Sequence, residues 1–312
     1  MLADPRTGRQ HVLAVLQGLL VTFLWSTSWI LIKIGLDDFD LRPLSFAGLR
    51  YALAAAILVP FGIRAMRAAH TAAPLSGRLL ARVAVYGILF VAVAQGAQFA
   101  ALAVLPATAV SLILASIPAW VAIMALAGGA ERASIGQAGG IGLLTVGALL
   151  YFGPFEVEAD AGIGFLAAGI CVAAAAVSSH LGRGLARDAI HRLGGPIGLT
   201  AASMAIGAVL LLGMGIALEG WPQLDFAAWL IVGWLAVVNT AFAFTLWNHT
   251  LRTLTAVESS VVNNTMTIQI AILAIVFLAE PLAPLQLVGL LLAATGAAVV
   301  QLAPVLRNRS RR

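Results

Sequence analysis

The chain has 312 residues, of which 61% are hydrophobic and only 10% are charged, and its formal net charge is +5. Soluble domains carry roughly 25% charged residues, so this composition excludes a water-soluble fold and indicates that the lipid bilayer is the solvent. The basic residues lie at segment ends and in loops, so we expect membrane lipid, and not nucleic acid, as their partner.

Ten apolar segments, each long enough to cross a bilayer, follow one another along the chain. They are too long for barrel strands and do not alternate in polarity, so they predict an all-α integral membrane protein with ten transmembrane helices. The segments lie at 12–34, 44–63, 79–102, 107–127, 135–152, 162–181, 196–218, 226–248, 256–278 and 283–304.

The last five segments repeat the first five. Residues 105–150 align without a gap with residues 254–299, at a shift of 149 positions. The shift superposes Ser111 on Ser260, Glu131 on Glu280, Gly140 on Gly289 and Gly147 on Gly296. A repeat of five hydrophobic segments is typical of transporters built from two related halves.

We place the two halves at 1–153 and 154–312, joined by an acidic stretch that contains Glu156, Glu158 and Asp160. Each half has an odd number of helices, so the second half is expected to be inverted relative to the first. In such inverted repeats the substrate site lies near the bilayer midplane.

Small residues allow close helix packing in lipid, and we expect Gly136 with Gly140, and Gly289 with Gly296, to be packing positions.

The basic residues also predict the orientation of the chain. With the N-terminus in the cytoplasm, fifteen of the 18 Lys and Arg residues fall on cytoplasmic ends and loops. Basic loops stay in the cytoplasm during insertion, so both termini are expected there.

Cys171 is the only cysteine, which excludes an intramolecular disulfide and a cysteine-based metal site. We expect no cofactor and no metal.

Several local motifs resemble one transporter family. They are Trp25-Ser26-Thr27-Ser28-Trp29 with Lys33, Leu49-Arg50-Tyr51, the stretch from Pro118 to Glu131, and Glu280-Pro281-Leu282 before Gly289. With the duplication, they resemble the EamA-type branch of the drug/metabolite transporter superfamily, in particular bacterial exporters of aromatic and other neutral amino acids. The resemblance implies a transporter of the bacterial inner membrane, not an enzyme. One departure is Thr267, which stands where the family often has a second proline equivalent to Pro118.

Polar side chains within the spans are the candidate substrate-binding residues, because polar groups at that depth are costly unless they are paired or functional. Ser260, Asn264 and Thr267 share one face of the ninth segment, and Asn263 lies beside them. The remaining candidates are Trp25, Gln95, Ser111, Pro118, Trp120 and Asn239. Together they predict a neutral polar cavity with aromatic walls. For each amide the alternative is a hydrogen bond between helices.

Three charged residues, Lys33, Arg50 and Glu258, are candidates for coupling or gating. Lys33 is close enough to its helix end to reach water. Arg50 can pair with Asp37, Asp38 or Asp40, and we expect it to act as a structural clamp in preference to contacting substrate. Glu258 follows Thr255 at the spacing of a capping box. Asp and Glu are absent from the middle of every predicted span, which favours a facilitator over a proton-driven pump.

The sequence therefore predicts a monomeric exporter or facilitator of small metabolites that works by alternating access, with amino acids as the expected substrates. Within transport, the alternative is an exporter of nucleobases or other small metabolites. From other classes, the alternatives are a lipid flippase or scramblase, which would need a groove open to lipid, and a membrane enzyme, which would need a cluster of catalytic groups.

Overall fold

The structure is a computed structural model that describes residues 5–69, 76–127, 135–153, 161–188 and 190–309. Throughout these residues the regular structure is helical, and ten helices are long and apolar enough to cross a membrane. The all-α membrane class and the ten predicted spans are confirmed. Glu131 and the acidic residues that join the halves, Glu156, Glu158 and Asp160, lie outside the described residues.

The ten helices are numbered in chain order. They are α1 Pro5–Asp37, α2 Pro43–Ala68, α3 Gly77–Val104, α4 in two parts (Ala107–Leu114 and Ile117–Ala127), α5 Ile135–Phe152, α6 Ala161–Asp188, α7 Gly195–Glu219, α8 Phe226–Thr250, α9 Ala256–Leu278 and α10 Pro284–Arg309. Several helices extend past the apolar segment that predicted them, because a helix continues into the charged residues at its ends while hydropathy does not.

Side chains at the helix starts explain several of the boundaries. Ser76 accepts a hydrogen bond from the Leu79 amide before α3, and Asp225 accepts one from the Ala228 amide before α8. Before α9, Thr255 and Glu258 form the predicted capping box. These caps satisfy amides that the first turn of a helix leaves without partners.

The repeat is visible in the helix boundaries as well as in the residues. The starts of α3, α4 and α5 precede the starts of α8, α9 and α10 by the same 149 positions. Both α3 and α8 also contain a six-residue π-helical segment, Ile88–Val93 and Val237–Phe242, again 149 positions apart. An extra residue per turn is rare and costly in a helix, so its occurrence at equivalent positions confirms that the two halves share one architecture.

The two halves differ in helix continuity at the position of Pro118. α4 is interrupted between Leu114 and Ile117, whereas the equivalent α9 is continuous. Pro118 has no amide proton to donate to the Leu114 carbonyl, and its ring crowds that carbonyl, which breaks the helix. Thr267 occupies the equivalent position in α9 and keeps its amide. The predicted asymmetry between the halves is therefore present in the structure.

The chain forms two compact units, each assembled from segments of both halves. Unit 1 comprises Met1–Ile30, Pro106–Glu158 and Ala243–Arg312, and unit 2 comprises Leu31–Leu105 and Ala159–Phe242. Unit 1 therefore contains α4, α5, α9, α10, most of α1 and the end of α8. The boundaries fall inside α1 and α8, so these two helices contribute to both units.

Unit 1 is built around a close crossing of α5 and α10. A methyl group added to Gly147 would lie 2.4 Å from the Ala293 amide nitrogen, and one on Gly296 would lie 2.4 Å from that of Leu144. Gly140 and Gly289 lie in the same crossing, as predicted. Gly136, one turn before Gly140 at the start of α5, is exposed, and its part in the crossing stays a prediction. Glu280, after α9, caps α4 by accepting from the amides of Ala107 and Thr108 at 2.7 and 3.2 Å.

Unit 2 is organised in a similar way around α2 and α7. A methyl group added to Gly48 would lie 2.5 Å from the Leu212 α-carbon, so the two backbones approach closely. At the end of α7, the Glu219 carboxylate accepts from the amides of Leu44 and Ser45, at 2.9 and 2.7 Å. A carboxylate at a helix N-terminus satisfies free amides and interacts favourably with the helix dipole. The start of α2 is thereby attached to the end of α7.

Candidate functional site

Trp25 of α1 forms the centre of an aromatic cluster in unit 1. Its ring centroid lies 5.3 Å from that of Phe244 and 5.4 Å from that of Trp247, both on the last part of α8. The ring planes are tilted by 56° and 54°, an arrangement that aromatic quadrupoles favour. Phe244 and Trp247 are three positions apart, so they lie on one face of α8 and together form an aromatic wall with Trp25.

A polar network next to this cluster joins α1 to α9. The Ser26 hydroxyl donates to Gln269 Oε1 at 3.0 Å, and Gln269 Nε2 donates to Thr265 Oγ1 at 3.0 Å. Thr22 and Thr265 place their hydroxyl oxygens 3.4 Å apart. The Gln269 amide is thus satisfied by protein groups on both of its ends. It serves as a hydrogen-bonded contact between helices, the role expected of polar residues that hold a membrane bundle together.

Two predicted site residues in unit 1 carry hydrogen-bond donors that, unlike the Gln269 amide, lack a described acceptor. The indole nitrogen of Trp25 and the amide nitrogen of Asn264 are both buried, and neither has a hydrogen-bond acceptor among the described residues. The other end of the Asn264 amide is occupied, since its Oδ1 accepts from Gln301 Nε2 at 3.1 Å. Gln301 therefore orients the amide and directs its N–H groups away from α10. Buried donors without acceptors are rare in native proteins, and each requires an explanation.

The other unit 1 candidates vary in burial. Ser260, Thr267 and Pro118 are half-buried, and Asn263 and Trp120 are exposed. Ser111 is buried, and its hydroxyl donates to the Thr108 carbonyl at 2.8 Å, within its own helix. Among the predicted residues of unit 1, no hydrogen bond or ring contact in the described part of the chain joins two of them directly. They contact residues that the sequence pattern did not single out.

Gln95 and Asn239 belong to unit 2. Gln95 is half-buried on α3, and its Oε1 accepts from the Tyr51 hydroxyl at 2.6 Å. Asn239 is fully buried in the π-helical segment of α8. Each lies within or directly after one of the two π-helical segments. Such segments often occur at functional sites, because the extra residue redirects side chains and carbonyl groups.

The expected pairing of Arg50 with a nearby aspartate is wrong. Arg50 is buried, and its Nε donates to Thr240 Oγ1 at 3.0 Å. Arg50 lies seven positions into α2, which takes it about 10 Å along the helix from the loop that carries Asp38 and Asp40. Asp37 is already paired with Lys33, one turn earlier on its own helix, at 3.1 Å.

The remaining two charged candidates have protein partners. The Lys33 ammonium donates to the Leu102 carbonyl at 3.0 Å in addition to its pair with Asp37, so it is held inside unit 2 instead of extending into water. The Glu258 carboxylate accepts from the Thr255 amide at 2.9 Å and lies 3.2 Å from His11 Nε2. These contacts are those of a helix cap that lies beside a histidine.

Sequence reasoning missed four residues that complete these contacts: Phe244, Trp247, Thr240 and Gln301. Phe244 and Trp247 look like ordinary apolar positions, and Thr240 and Gln301 like single polar residues near or within a span. A hydrophobic pattern reports that a side chain is buried, but it does not report which side chain of another helix lies opposite. The only available signal was the three-residue spacing of Phe244 and Trp247, which places both on one face of α8.

Comparison with known proteins agrees with this architecture. The model of the EamA-like transporter family matches residues 12–153 and again residues 162–302. A solved structure described as "Crystal structure of protein" has 21% sequence identity and a TM-score of 0.63, over 93% of this chain and 98% of that chain, and it shares the fold. No curated protein matches the chain. Because two successive family matches cover most of a ten-helix chain, this protein belongs to the EamA-like transporter family and is a multi-pass membrane transporter of small molecules.

Proposed function

We propose that this transporter exports amino acids, mainly aromatic and other neutral ones, by alternating access through a polar and aromatic site. The observation that carries the proposal is the pair of buried donors on Trp25 and Asn264, which have no acceptor among the described residues. A buried donor left in this way costs about 1–3 kcal/mol. An oxygen atom of a bound substrate would remove that cost in the loaded state.

The aromatic cluster supports the second part of the proposal. Trp25, Phe244 and Trp247 provide a wall that suits the apolar side chain of an aromatic or aliphatic amino acid. The face of a Trp ring also attracts an ammonium group by roughly 0.5–2 kcal/mol. A zwitterion with an apolar side chain offers an ammonium group, oxygen acceptors and apolar surface, and this set of groups matches the cluster and the two donors.

Nucleobases are the second candidate substrates, and the same aromatic cluster is the observation that favours them. A planar base would stack on Trp25 or Trp247, and its carbonyl oxygens or ring nitrogens would accept from the two donors that have no acceptor among the described residues. A nucleobase has neither an ammonium nor a carboxylate. Binding assays with ligands of both kinds therefore separate the two candidates.

We also propose that transport is facilitated and not coupled to protons. The predicted spans carry no Asp or Glu near their middle. The sequence singled out Glu258 as a possible coupling carboxylate, but this residue is bonded to Thr255 and lies beside His11. A coupling carboxylate must exchange protons in competition with substrate. A carboxylate that caps a helix has a structural role which its protonation would weaken.

The proposed setting is the bacterial inner membrane, with both termini in the cytoplasm, the halves 1–153 and 154–312 inverted relative to each other, and the monomer as the working form. The orientation is supported by the basic residues at one set of loops. The monomer is supported by the composition of the two compact units, because a single chain contributes helices of both halves to each unit.

Ligand-dependent thermal unfolding of the purified protein tests the proposed substrate class. A ligand at about one hundred times its Kd stabilises the folded state by about 2.7 kcal/mol. We expect phenylalanine and leucine to raise the unfolding midpoint, and adenine and uracil to leave it unchanged. Stabilisation by the bases alone would favour the second candidate, and stabilisation by none of the four would contradict both.

A further inference from the structure

Arg50 is a buried cation that forms no ion pair with any residue that the structure describes. Arg50 lies inside a membrane-spanning helix, and only 4% of its surface is exposed. The salt bridges among the described residues join His11 to Glu258 and Lys33 to Asp37, and neither involves Arg50. Its described neighbours are neutral: the Thr240 hydroxyl and the rings of Tyr51 and Phe99, whose centroids lie 5.3 and 5.9 Å from the guanidinium carbon.

These neutral neighbours do not offset the burial of the charge. Guanidinium stays protonated in proteins, so Arg50 cannot lose its charge as a buried lysine can. Attraction to two aromatic rings is weak compared with the hydration that a buried cation loses. Buried charges in native proteins are normally paired or coordinated, and a charge in a membrane span that is not paired by the protein indicates a functional site.

The hydrogen bonds show which part of the side chain is available. The Thr240 hydroxyl donates to the Leu235 carbonyl at 2.8 Å, so its oxygen accepts from Arg50 Nε. This contact holds one edge of the guanidinium. The two terminal nitrogens, Nη1 and Nη2, carry four N–H groups and make no hydrogen bond to any described residue. Two parallel N–H groups of this kind match the two oxygens of a carboxylate.

Donors next to Arg50 extend this polar surface within unit 2. The Tyr51 hydroxyl donates to Gln95 Oε1, which leaves the Gln95 amide N–H groups for another partner. Thr240, which holds Arg50, lies in the π-helical segment of α8, and Gln95 follows the π-helical segment of α3. The two irregular segments therefore supply Thr240, which bonds Arg50, and Gln95, which bonds Tyr51, whose ring centroid lies 5.3 Å from the guanidinium carbon.

We propose that Arg50 is the counter-charge for an anionic group of the substrate, a carboxylate, and that it selects carboxylate-bearing substrates over amines of the same shape. This inference rests on the proposed transport of amino acids and names the substrate group that Arg50 binds. Thr240 acts as a positioning residue, because it orients the guanidinium without using its terminal nitrogens.

Three probes that share a phenyl ring test the proposal: phenylalanine, 3-phenylpropanoate, which lacks the ammonium, and phenethylamine, which lacks the carboxylate. Their affinities are measured by calorimetry on purified wild type and R50Q. We expect R50Q to bind both carboxylates about 10- to 100-fold more weakly, while its affinity for phenethylamine stays unchanged. R42Q is the matched control, because it removes an exposed cation of the same unit, just before α2, whose guanidinium donates to the Glu219 carbonyl. It should bind all three probes as the wild type does.

A conservative variant keeps the test valid if R50Q does not fold. R50K retains the charge but loses the planar fork, so it should weaken both carboxylates less than R50Q and leave the amine unchanged. In the wild type, 3-phenylpropanoate should raise the thermal unfolding midpoint at a lower concentration than phenethylamine does. Equal weakening of all three probes in R50Q or R50K would assign Arg50 a structural role and overturn the proposal.

The remaining outcomes separate this inference from the proposed function. Phenylalanine binding that is unaffected by R50Q would remove the anion site and leave amino-acid transport standing. Binding of 3-phenylpropanoate without binding of phenylalanine would keep the anion site and contradict amino-acid transport. Stabilisation of the wild type but not R50Q by phosphatidylglycerol alone would make a lipid phosphate the counter-ion and overturn the substrate assignment. Binding of none of the three probes would overturn both.

Discussion

At the scale of single residues, the degree of hydrogen-bond satisfaction separates structural polar groups from candidate ligand groups. Gln269 and Asn264 are both amides on α9, five positions apart. Gln269 is bonded to Ser26 and Thr265, whereas the Asn264 nitrogen has no acceptor in the described part of the chain. The sequence makes the two residues look alike. Their partners, which the fold supplies, make one a contact between helices and the other a candidate donor to substrate.

Replacing Asn264 or Trp25 with Ala is therefore expected to weaken substrate binding while the protein remains folded. Loss of one hydrogen bond to a ligand is worth about 1–3 kcal/mol, or about a 5- to 150-fold loss of affinity. Calorimetry with phenylalanine on monodisperse protein measures this change. The matched control is Gln269→Ala, which removes the hydrogen bonds that Ser26 and Thr265 make to this amide and so weakens the contact between α1 and α9; it should lower the thermal unfolding midpoint more than it lowers affinity. Normal affinity in both N264A and W25A would place the site elsewhere.

At the scale of helices, prediction depended on whether a feature belongs to one helix or to a pair. The ten spans, the repeat and the break at Pro118 follow from single helices, because length, hydropathy and a missing amide are properties of one segment. The neighbour of each helix is not such a property. For this reason the expected pairing of Arg50 with aspartates nearby in the sequence is wrong, whereas the expected close packing of Gly140 and Gly289 is confirmed.

Two glycines of α5 provide a direct test of the crossing with α10. A methyl group at Gly147 would lie within 2.5 Å of backbone atoms of Ala293 and Gly289, whereas one at Gly142 would meet no atom within 4 Å. We expect Gly147→Ala to destabilise the protein by about 1–3 kcal/mol, the usual cost of overpacking. Gly142→Ala should be neutral or stabilise it by up to about 1 kcal/mol, because Ala favours helix. Chemical denaturation in detergent compares the two, and equal stability would contradict the close crossing.

At the scale of the whole molecule, the duplication is the feature that relates fold to transport. Helix starts and π-helical segments repeat at 149 positions, and each compact unit combines helices of both halves. In the proposed inverted topology, two related halves of opposite orientation would provide two similar arrangements of one chain, which is the structural basis of alternating access. The interruption of α4, with no equivalent in α9, would then make the two arrangements unequal.

The inverted topology predicts that the two ends of the second half lie on opposite sides of the membrane. A cysteine appended after Arg312 should react with a membrane-impermeant thiol reagent only from the cytoplasmic side. A cysteine at Ala159, between the halves, should react only from the outside. The native Cys171 is 2% exposed and should stay unlabelled, which makes the wild type the control. Labelling of both engineered sites from one side would contradict the orientation.

Counterflow in proteoliposomes tests the central claim most directly. Vesicles are loaded with unlabelled phenylalanine, a protonophore collapses any proton gradient, and radioactive phenylalanine is added outside. A facilitator with no titratable group in its pathway should accumulate the label at the same rate with and without the protonophore, and N264A should do so more slowly. If the protonophore abolishes uptake into loaded vesicles, transport is coupled to protons, and Glu258 would have to act in that coupling instead of serving only as a helix cap.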